Sequence, residues 1–216
     1  MKMRKVAATA GAAVAALGLS AAVPAQVAAV ESASVQQQAT PAWLAAQAGE
    51  VTLNVDYQVQ ETSYWCGPAA TRIALSAKGV YRSQADLAAE LGTHTGGTDH
   101  ISQVTSVMNN HVGGYRTTEM PNDPPTQAQK GRLWDDVVTN INAGDAIVAN
   151  IVAPPGNQPP GYPPDQTIYH YFTVVGYDDY NGTVQIADPA SFGGYQMYWL
   201  TFDQFASLIP PKGYSA

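Results

Sequence analysis

The amino-acid sequence predicts one α+β domain that follows an export signal. Apolar residues recur at helical spacing through the first part of the domain, whereas short apolar runs typical of strands follow later in the chain. The pair Asn181-Gly182 separates two of these runs and is a strong hairpin signal. With 216 residues, 45% of them hydrophobic and 12% charged, the chain suits a folded domain and not a disordered one.

Charge and cysteine content exclude several functions. The net charge of −7 and the pI of about 4.8 argue against a nucleic-acid-binding protein, which requires a basic face. The single cysteine can form no disulfide within the chain and can supply no thiolate zinc cluster. We therefore predict no cofactor, no metal and no nucleic-acid partner.

The first 25 residues are typical of a secretory signal peptide. Basic residues precede an apolar run rich in Ala, and cleavage is expected after Ala25 or Ala29. The alternative is a membrane anchor, but the run is only weakly apolar for a span. Residues 26–48 are predicted to be a linker or short pro-segment, and residues 49–216 the domain. We expect a secreted protein, extracellular or cell-wall associated, with no membrane contact once the signal is cleaved.

The domain begins with a predicted strand over residues 51–60. Apolar and polar residues alternate strictly, which places Gln60 on the polar face. A helix is expected directly after Cys66, because Pro68 suits a first helical turn and Gly79 marks a helix end. Its buried face is predicted to consist of Ala70, Ile73, Ala74 and Ala77.

The remaining elements follow from the same rules of spacing, capping and turn chemistry. Four further helices are predicted. The first follows Ser83, the second spans 100–110, the third spans 133–141 and is closed by Gly144, and the last is capped by Thr201. The predicted strands span 115–120, 146–152, 168–177, 183–188 and 195–200, with a loop over 121–129.

Cys66 is the first candidate for chemistry. It lies next to a predicted helix N-terminus, where the helix dipole favours the thiolate form of the side chain. The alternative is a buried cysteine that packs as a small hydrophobic residue. The residues alone leave both interpretations open.

His170 is the candidate general base. It lies at the start of an apolar strand, where a buried polar side chain needs a partner. The alternative is a histidine whose hydrogen bonds are structural. The other histidines, His94, His100 and His111, have polar neighbours and are expected to be solvated. His94 and His100 with Asp99 do not match the spacing of a known metal site.

Asp188 is the candidate that orients His170, and this prediction depends on the hairpin between them. A tight two-residue turn sets Asp188 opposite Val175, about 16 Å from His170, which is out of reach. A loop over 178–182 sets Asp188 opposite Phe172, with His170 a diagonal neighbour at about 7 Å. A catalytic pair therefore predicts a wide loop or a bulge.

Four further residues complete the predicted site. Gln60 lies six residues before Cys66, and its amide is a candidate oxyanion donor beside the Cys66 N–H; the alternative is an ordinary exposed strand glutamine. Tyr64 and Trp65 adjoin Cys66 and either line a cleft or pack. A proline-rich segment contains Tyr162 and is either a stiff surface loop or a lid whose Tyr162 contacts substrate.

The motifs together resemble those of papain-like cysteine peptidases. They are Gln60, Cys66 in Cys-Gly-Pro-Ala, His170 in His-Tyr-Phe-Thr-Val-Val-Gly-Tyr-Asp and Asp188 in Asp-Pro. The resemblance is closest to bacteriocin-processing, double-glycine leader peptidases and their secreted stand-alone relatives. It implies a helical half led by the cysteine helix, packed against an antiparallel β half. It also implies that Cys66 is the nucleophile, His170 the general base and acid, Asp188 the residue that orients it, and Gln60 an oxyanion donor.

The resemblance leaves the substrate open. Double-glycine peptidases are normally fused to an exporter, whereas this chain carries an export signal of its own. We expect a peptide or protein substrate. The alternatives are an acyltransferase or cell-wall amidase that uses the same thioester chemistry, a binding module that keeps the fold without catalysis, and a structural protein with a buried cysteine.

Overall fold

The computed structural model describes residues 49–216, which contain five α-helices and seven β-strands. The predicted signal peptide and pro-segment lie outside the described residues. The helices are α1 (Cys66–Ala77), α2 (Gln84–Leu91), α3 (Ile101–His111), α4 (Gln127–Ala143) and α5 (Phe202–Leu208). The strands are β1 (Glu50–Thr52), β2 (Thr117–Glu119), β3 (Ile147–Ala153), β4 (Ile168–Asp178), β5 (Thr183–Ala187), β6 (Met197–Thr201) and β7 (Gly213–Ser215).

All seven strands join one antiparallel sheet. Its order is β2-β7-β3-β4-β5-β6, and β1 pairs with the far end of the long strand β4. Helices α1, α2 and α3 share a hydrophobic core with one face of the sheet, whereas α4 and α5 share a second core with the other face. The α+β class is confirmed, with the cysteine helix leading the helical half.

Helix α1 is enclosed by its neighbours. The structure confirms the predicted burial of Ala70, Ile73 and Ala74, but Ala77 is only half-buried and burial extends around the helix from Gly67 through Ser76. The many alanines explain the difference, because small side chains let other elements approach on all sides. On the sheet side, the Thr173 hydroxyl donates to the Ala70 carbonyl at 2.8 Å. The helix is therefore held firmly against β4.

The predicted first strand is largely wrong. Only Glu50–Thr52 forms a strand, and residues 53–60 belong to none, although the Leu53 N–H still donates to the Val175 carbonyl of β4 at 2.8 Å. Their predicted faces also invert near the end, because Val59 is 44% exposed and Gln60 is half-buried. The Gln60 N–H donates to the Pro189 carbonyl at 2.9 Å, which binds this segment to the chain beside Asp188 and turns it out of a regular pleat.

Two further differences involve short or capped elements. Strand β7 was not predicted, because three residues are too few for a periodic signal; it inserts between β2 and β3. Helix α4 begins inside the predicted loop, since Thr126 and Gln129 form a capping box. None of the described helices has the length and apolarity that a membrane span needs.

Candidate active site

Cys66 is the first residue of α1, and its side chain is partly exposed. Trp65 occupies the N-cap position without a side-chain cap, and the first turn contains no acidic residue. The N-terminal amides of the helix are therefore left without a capping side chain, and that of Gly67 lowers the pKa of Cys66. An uncapped helix N-terminus is a favourable place for a thiolate.

Gly67 lets a loop approach the start of α1. A Cβ at this position would lie 2.3 Å from Thr98 Oγ1 and 2.9 Å from Thr98 Cβ. Residues 96–99 form one wall of a cleft of about 250 Å³ that opens beside Cys66. The cleft is lined by Cys66, Gly96, Gly97, Thr98, Asp99, Asn150, Tyr169, His170, Tyr171 and Lys212.

His170 is buried on β4, opposite Ile151 of β3. Its Nε2 lies 2.8 Å from Asp188 Oδ1, and its ring lines the same cleft as Cys66, whose pKa it lowers. Because Nε2 faces the carboxylate, Nδ1 is the nitrogen left for Cys66. The structure thus places Cys66 and His170 together at the cleft and hydrogen-bonds His170 to Asp188.

The β4–β5 hairpin supplies both features that the pairing of His170 with Asp188 requires. Asp178 pairs with Thr183, which leaves a four-residue loop, and the register shifts at a bulge between Val174 and Gly176. Beyond the bulge, Thr173 pairs with Ala187. Continued by one residue, this register sets Asp188 opposite Phe172, as the wide-loop prediction requires. The loop is one residue shorter than predicted, and the bulge makes up the difference.

Four donors surround the carboxylate of Asp188, which is fully buried. Oδ1 faces His170 Nε2 and accepts from the Ala190 N–H at 2.9 Å. Oδ2 accepts from the hydroxyls of Tyr162 at 2.7 Å and Tyr198 at 2.6 Å. These bonds satisfy a charge that would otherwise be costly to bury.

The pKa shifts of Cys66, His170 and Asp188 favour an ion pair between a Cys66 thiolate and a His170 imidazolium. Burial raises the pKa of Cys66, but the hydrogen bond and charge of His170 outweigh it, so this pKa lies below its ordinary value. Burial lowers the pKa of His170, but the charge and hydrogen bond of Asp188, followed by those of Cys66, raise it well above its ordinary range. Burial also opposes ionisation of Asp188, yet its pKa lies below its ordinary value because of His170 and the two tyrosines.

Gln60 lies on the segment that leads into Cys66, and it does not line the cleft. Its Nε2 donates to the Thr62 carbonyl at 2.8 Å, while its buried Oε1 has no hydrogen-bond partner. The side chain is therefore not an ordinary exposed strand glutamine. An oxyanion role stays a prediction, and it requires the second hydrogen of Nε2, which the Thr62 bond leaves available.

Tyr162 does not lie where substrate was expected to contact it. The side chain is buried, stands edge-on to the His170 ring at 6.1 Å, and bonds Asp188 from behind. It is absent from the cleft lining. The predicted substrate contact is therefore corrected to a contact with the carboxylate.

The other predicted residues occupy peripheral positions. Tyr64 and Trp65 are half-buried and pack edge to face at 6.4 Å, so their contact with substrate stays a prediction. His94 and His100 lie on the surface beside Asp99 and Glu119, respectively. Within residues 49–216, no cluster of three or more His, Cys, Asp or Glu side chains is arranged to hold a metal ion.

Sequence reasoning missed two groups of site residues. Tyr198 lies on β6, and its bond to Asp188 depends on a register that spacing cannot supply. Asn150 and Lys212 reach the cleft from β3 and from the turn before β7. Lys212 lies 5.8 Å above the exposed Tyr169 ring, a cation–π contact at the rim. None of these residues belongs to a local motif.

This fold and this arrangement of Cys66 and His170 define the protein as a papain-like cysteine peptidase. The model of the Peptidase_C39-like family matches residues 52–209, more than half of the chain, so the protein belongs to that family. A comparison with curated proteins found no match.

Comparison with solved structures found similarity at low sequence identity. A C39-like peptidase from Bacillus anthracis superposes with a TM-score of 0.53 at 14% identity, covering 77% of this chain and 96% of that one. A double-glycine-motif protease from an AMS/PCAT transporter, in complex with the leader peptide, has a TM-score of 0.48 at 12% identity, covering 78% and 96%. Xylellain, a cysteine protease from Xylella fastidiosa, has a TM-score of 0.47 at 13% identity, covering 82% and 88%.

Proposed function

We propose that this protein is a secreted cysteine peptidase that hydrolyses peptide bonds through Cys66, His170 and Asp188. The observation that carries the proposal is that His170 lines one cleft with Cys66 while its Nε2 lies 2.8 Å from Asp188 Oδ1. Export rests on the signal-like N-terminus alone. Membership of the peptidase family supports the reaction class.

In the first step, the Cys66 thiolate attacks the carbonyl carbon of the scissile bond. Attack forms the sulfur–carbon bond and places negative charge on the carbonyl oxygen. The Cys66 N–H is available to that oxygen because the first residue of a helix has no intrahelical partner for its amide. Gln60 Nε2 is the proposed second donor, through the hydrogen that its bond to the Thr62 carbonyl leaves available.

In the second step, the tetrahedral intermediate collapses. His170, protonated at Nδ1, donates that proton to the leaving amine, and the carbon–nitrogen bond breaks to leave a thioester on Cys66. His170 then removes a proton from a water molecule, which attacks the thioester and releases the acid. Asp188 keeps Nε2 protonated throughout and stabilises the imidazolium that the ion pair requires.

The cleft supports a peptide substrate. Beside Cys66 it is lined by Gly96, Gly97 and Asn150, and by Asp99 and Lys212, which carry opposite charges. Asn150 Nδ2 donates to the Tyr171 hydroxyl at 2.9 Å, which leaves its Oδ1 to accept from the main chain of a bound peptide. A leader peptide is bound by the transporter protease of similar fold; for this chain, a peptide substrate is part of the proposal.

The test compares the wild type with Cys66→Ala on a library of peptides, with product masses as the readout. The proposal predicts hydrolysed peptides from the wild type, none above background from Cys66→Ala, and no product in which an added amine replaces water. Transfer to the amine as the main reaction would indicate an acyltransferase. Equal cleavage by the two proteins would contradict the proposed nucleophile.

Export has its own test. The full chain, produced with its natural N-terminus, is expected in the culture medium with a mature N-terminus after residue 25 or 29. Retention of the intact N-terminus in the membrane fraction would contradict secretion. Replacing the basic residues Lys2, Arg4 and Lys5 by acidic ones is the matched control, because it removes the signal without touching the domain.

A further inference from the structure

The proline-rich segment over residues 154–167 is anchored to the body of the domain at several points. Asn157 Nδ2 donates to Ser207 Oγ at 2.9 Å, and Gln204 Nε2 donates to the Gln158 carbonyl at 3.3 Å. Gln158 Nε2 in turn donates to the carbonyls of Pro163 and Gln166 at 2.6 and 2.8 Å. Helix α5 and the segment's own glutamine thus hold it in place, which does not suit a lid that opens and closes.

One glycine lets this segment enter the interior. Gly161 has a φ of 80°, and a Cβ there would lie 2.2 Å from the Phe192 carbonyl oxygen. Only glycine fits both the left-handed backbone and the close approach. The next residue is Tyr162, whose ring packs against Phe192 at 4.6 Å and whose hydroxyl reaches Asp188. The segment therefore delivers one hydroxyl group to a buried carboxylate.

A second hydroxyl reaches the same oxygen from a different element. Tyr198 lies on β6, beyond the hairpin strand β5, and its hydroxyl donates to Asp188 Oδ2 at 2.6 Å. Tyr57 also contacts Asp188, but its hydroxyl donates to the main-chain carbonyl at 2.7 Å and not to the carboxylate. Oδ2 is thus occupied by two phenols, while Oδ1 is left for His170 and the Ala190 N–H.

We propose that Tyr162 and Tyr198 are positioning residues that clamp Asp188 as an oriented carboxylate against His170, and that residues 154–167 are the fixed bracket of this clamp. The inference rests on the proposed function, because it concerns the residue that orients the proposed general base. Two donors on Oδ2 prevent rotation of the carboxylate and stabilise its charge in a buried site. Neither tyrosine contacts the cleft.

The ionisable groups that face Asp188 determine the expected pH dependence. They are His170 from β4, Tyr162 from the bracket, Tyr198 from β6 and Tyr57 from the extended segment. The phenols stay protonated near neutral pH, since burial and the charge of Asp188 raise their pKa values. Loss of one phenol hydroxyl makes protonation of Asp188 easier. The thiolate–imidazolium pair is then lost at a higher pH than in the wild type.

The experiment measures the rate of iodoacetamide alkylation of Cys66 against pH, together with kcat and KM on a cleaved peptide. The alkylation rate falls at low pH, and this fall is the acid limb of the profile. Tyr162→Phe and Tyr198→Phe are each expected to move the acid limb to a pH about one unit higher. We expect kcat to fall about tenfold near the limb, with KM unchanged because the cleft is intact. Tyr115→Phe is the matched control, since its buried hydroxyl donates to the Ala146 carbonyl at 3.0 Å, on a main-chain group.

A substitution expected to shift the acid limb in the opposite direction keeps the clamp testable if either phenylalanine variant folds poorly. 3-Fluorotyrosine at position 162 or 198 retains the hydroxyl and makes it a stronger donor, so the acid limb is expected to move downward. An unchanged limb in these proteins, with activity that still depends on Cys66, would overturn the clamp alone. A raised KM without a shifted limb in Tyr162→Phe would also overturn it, in favour of substrate contact. Full activity in Cys66→Ala would instead overturn the proposed function.

Discussion

On the helical side of the cleft the main chain positions the proposed nucleophile, whereas on the strand side other side chains position Asp188. Cys66 begins α1, is partly exposed, and lies at an uncapped helix N-terminus beside His170. Asp188 is fully buried and accepts from His170, one amide and two phenols. The proposed nucleophile and the carboxylate therefore depend on different kinds of structure for their positions. His170 joins them.

The difference has a consequence for substitutions. Main-chain donors survive any change of the neighbouring side chains that leaves the helix in place, so the helical side is sensitive to packing. The strand side depends on particular hydroxyls and on the hairpin register, so it is sensitive to single polar atoms. Substitutions on the strand side are therefore expected to change activity, whereas substitutions on the helical side are expected to change stability.

The largest effect is expected from Asp188→Asn on the strand side. The amide cannot balance the charge of the imidazolium, so the pKa of His170 falls and the thiolate is lost near neutral pH. We expect kcat/KM to fall by about 10²–10⁴, as for loss of the corresponding group in other triads. Steady-state kinetics measures this. A loss of less than about fivefold, in a protein shown to be folded, would mean that Asp188 is structural.

Gln60→Ala affects the segment that runs between the two sides. If its amide serves the oxyanion, kcat is expected to fall by about 10²–10³ with little change in KM. Gln58→Ala is the matched control two residues earlier, on the same extended segment. Equal kinetics for the two variants would leave the Cys66 N–H as the proposed donor and remove Gln60 from the mechanism.

The smallest effect on chemistry and a clear effect on stability are expected from Gly67→Ala on the helical side. The added Cβ would meet Thr98 Oγ1 at 2.3 Å, so the helix or the loop must shift. We expect a loss of about 1–3 kcal/mol in the free energy of unfolding, measured by denaturant titration. Gly131→Ala in α4 has open space and is expected to stabilise by about 0.5–1 kcal/mol. A change in the free energy of unfolding with the same sign in both variants would contradict the close approach at Gly67.

The sequence predicted the helical side better than the strand side. Helix starts, caps and the place of Cys66 are local features, so Ser83, His100 and Gly144 end or begin helices where spacing indicated. The pairing of His170 with Asp188 was predicted as conditional on a wide loop or a bulge, and the hairpin contains both. This part needed only strand register, which a short hairpin largely determines.

Local sequence patterns could not predict which residues surround Asp188. Tyr162 and Tyr198 arrive from a loop and from a neighbouring strand, and a tyrosine in either place has no spacing that marks it as a partner of a carboxylate. The inversion of Val59 and Gln60 has a similar cause, because a long-range bond to Pro189 overrides the alternation of the segment. In each case a contact between distant parts of the chain decided the result.

The central claim is that Cys66 and His170 form a thiolate–imidazolium pair, and the pH dependence of Cys66 alkylation tests it directly. The lowered pKa of Cys66 and the raised pKa of His170 predict rapid iodoacetamide alkylation across the interval between them, with an acid limb below the ordinary thiol pKa of about 8.5. In His170→Ala that limb is expected to move up toward the ordinary value. A single limb near pH 8.5 in the wild type, unchanged in His170→Ala, would contradict the account.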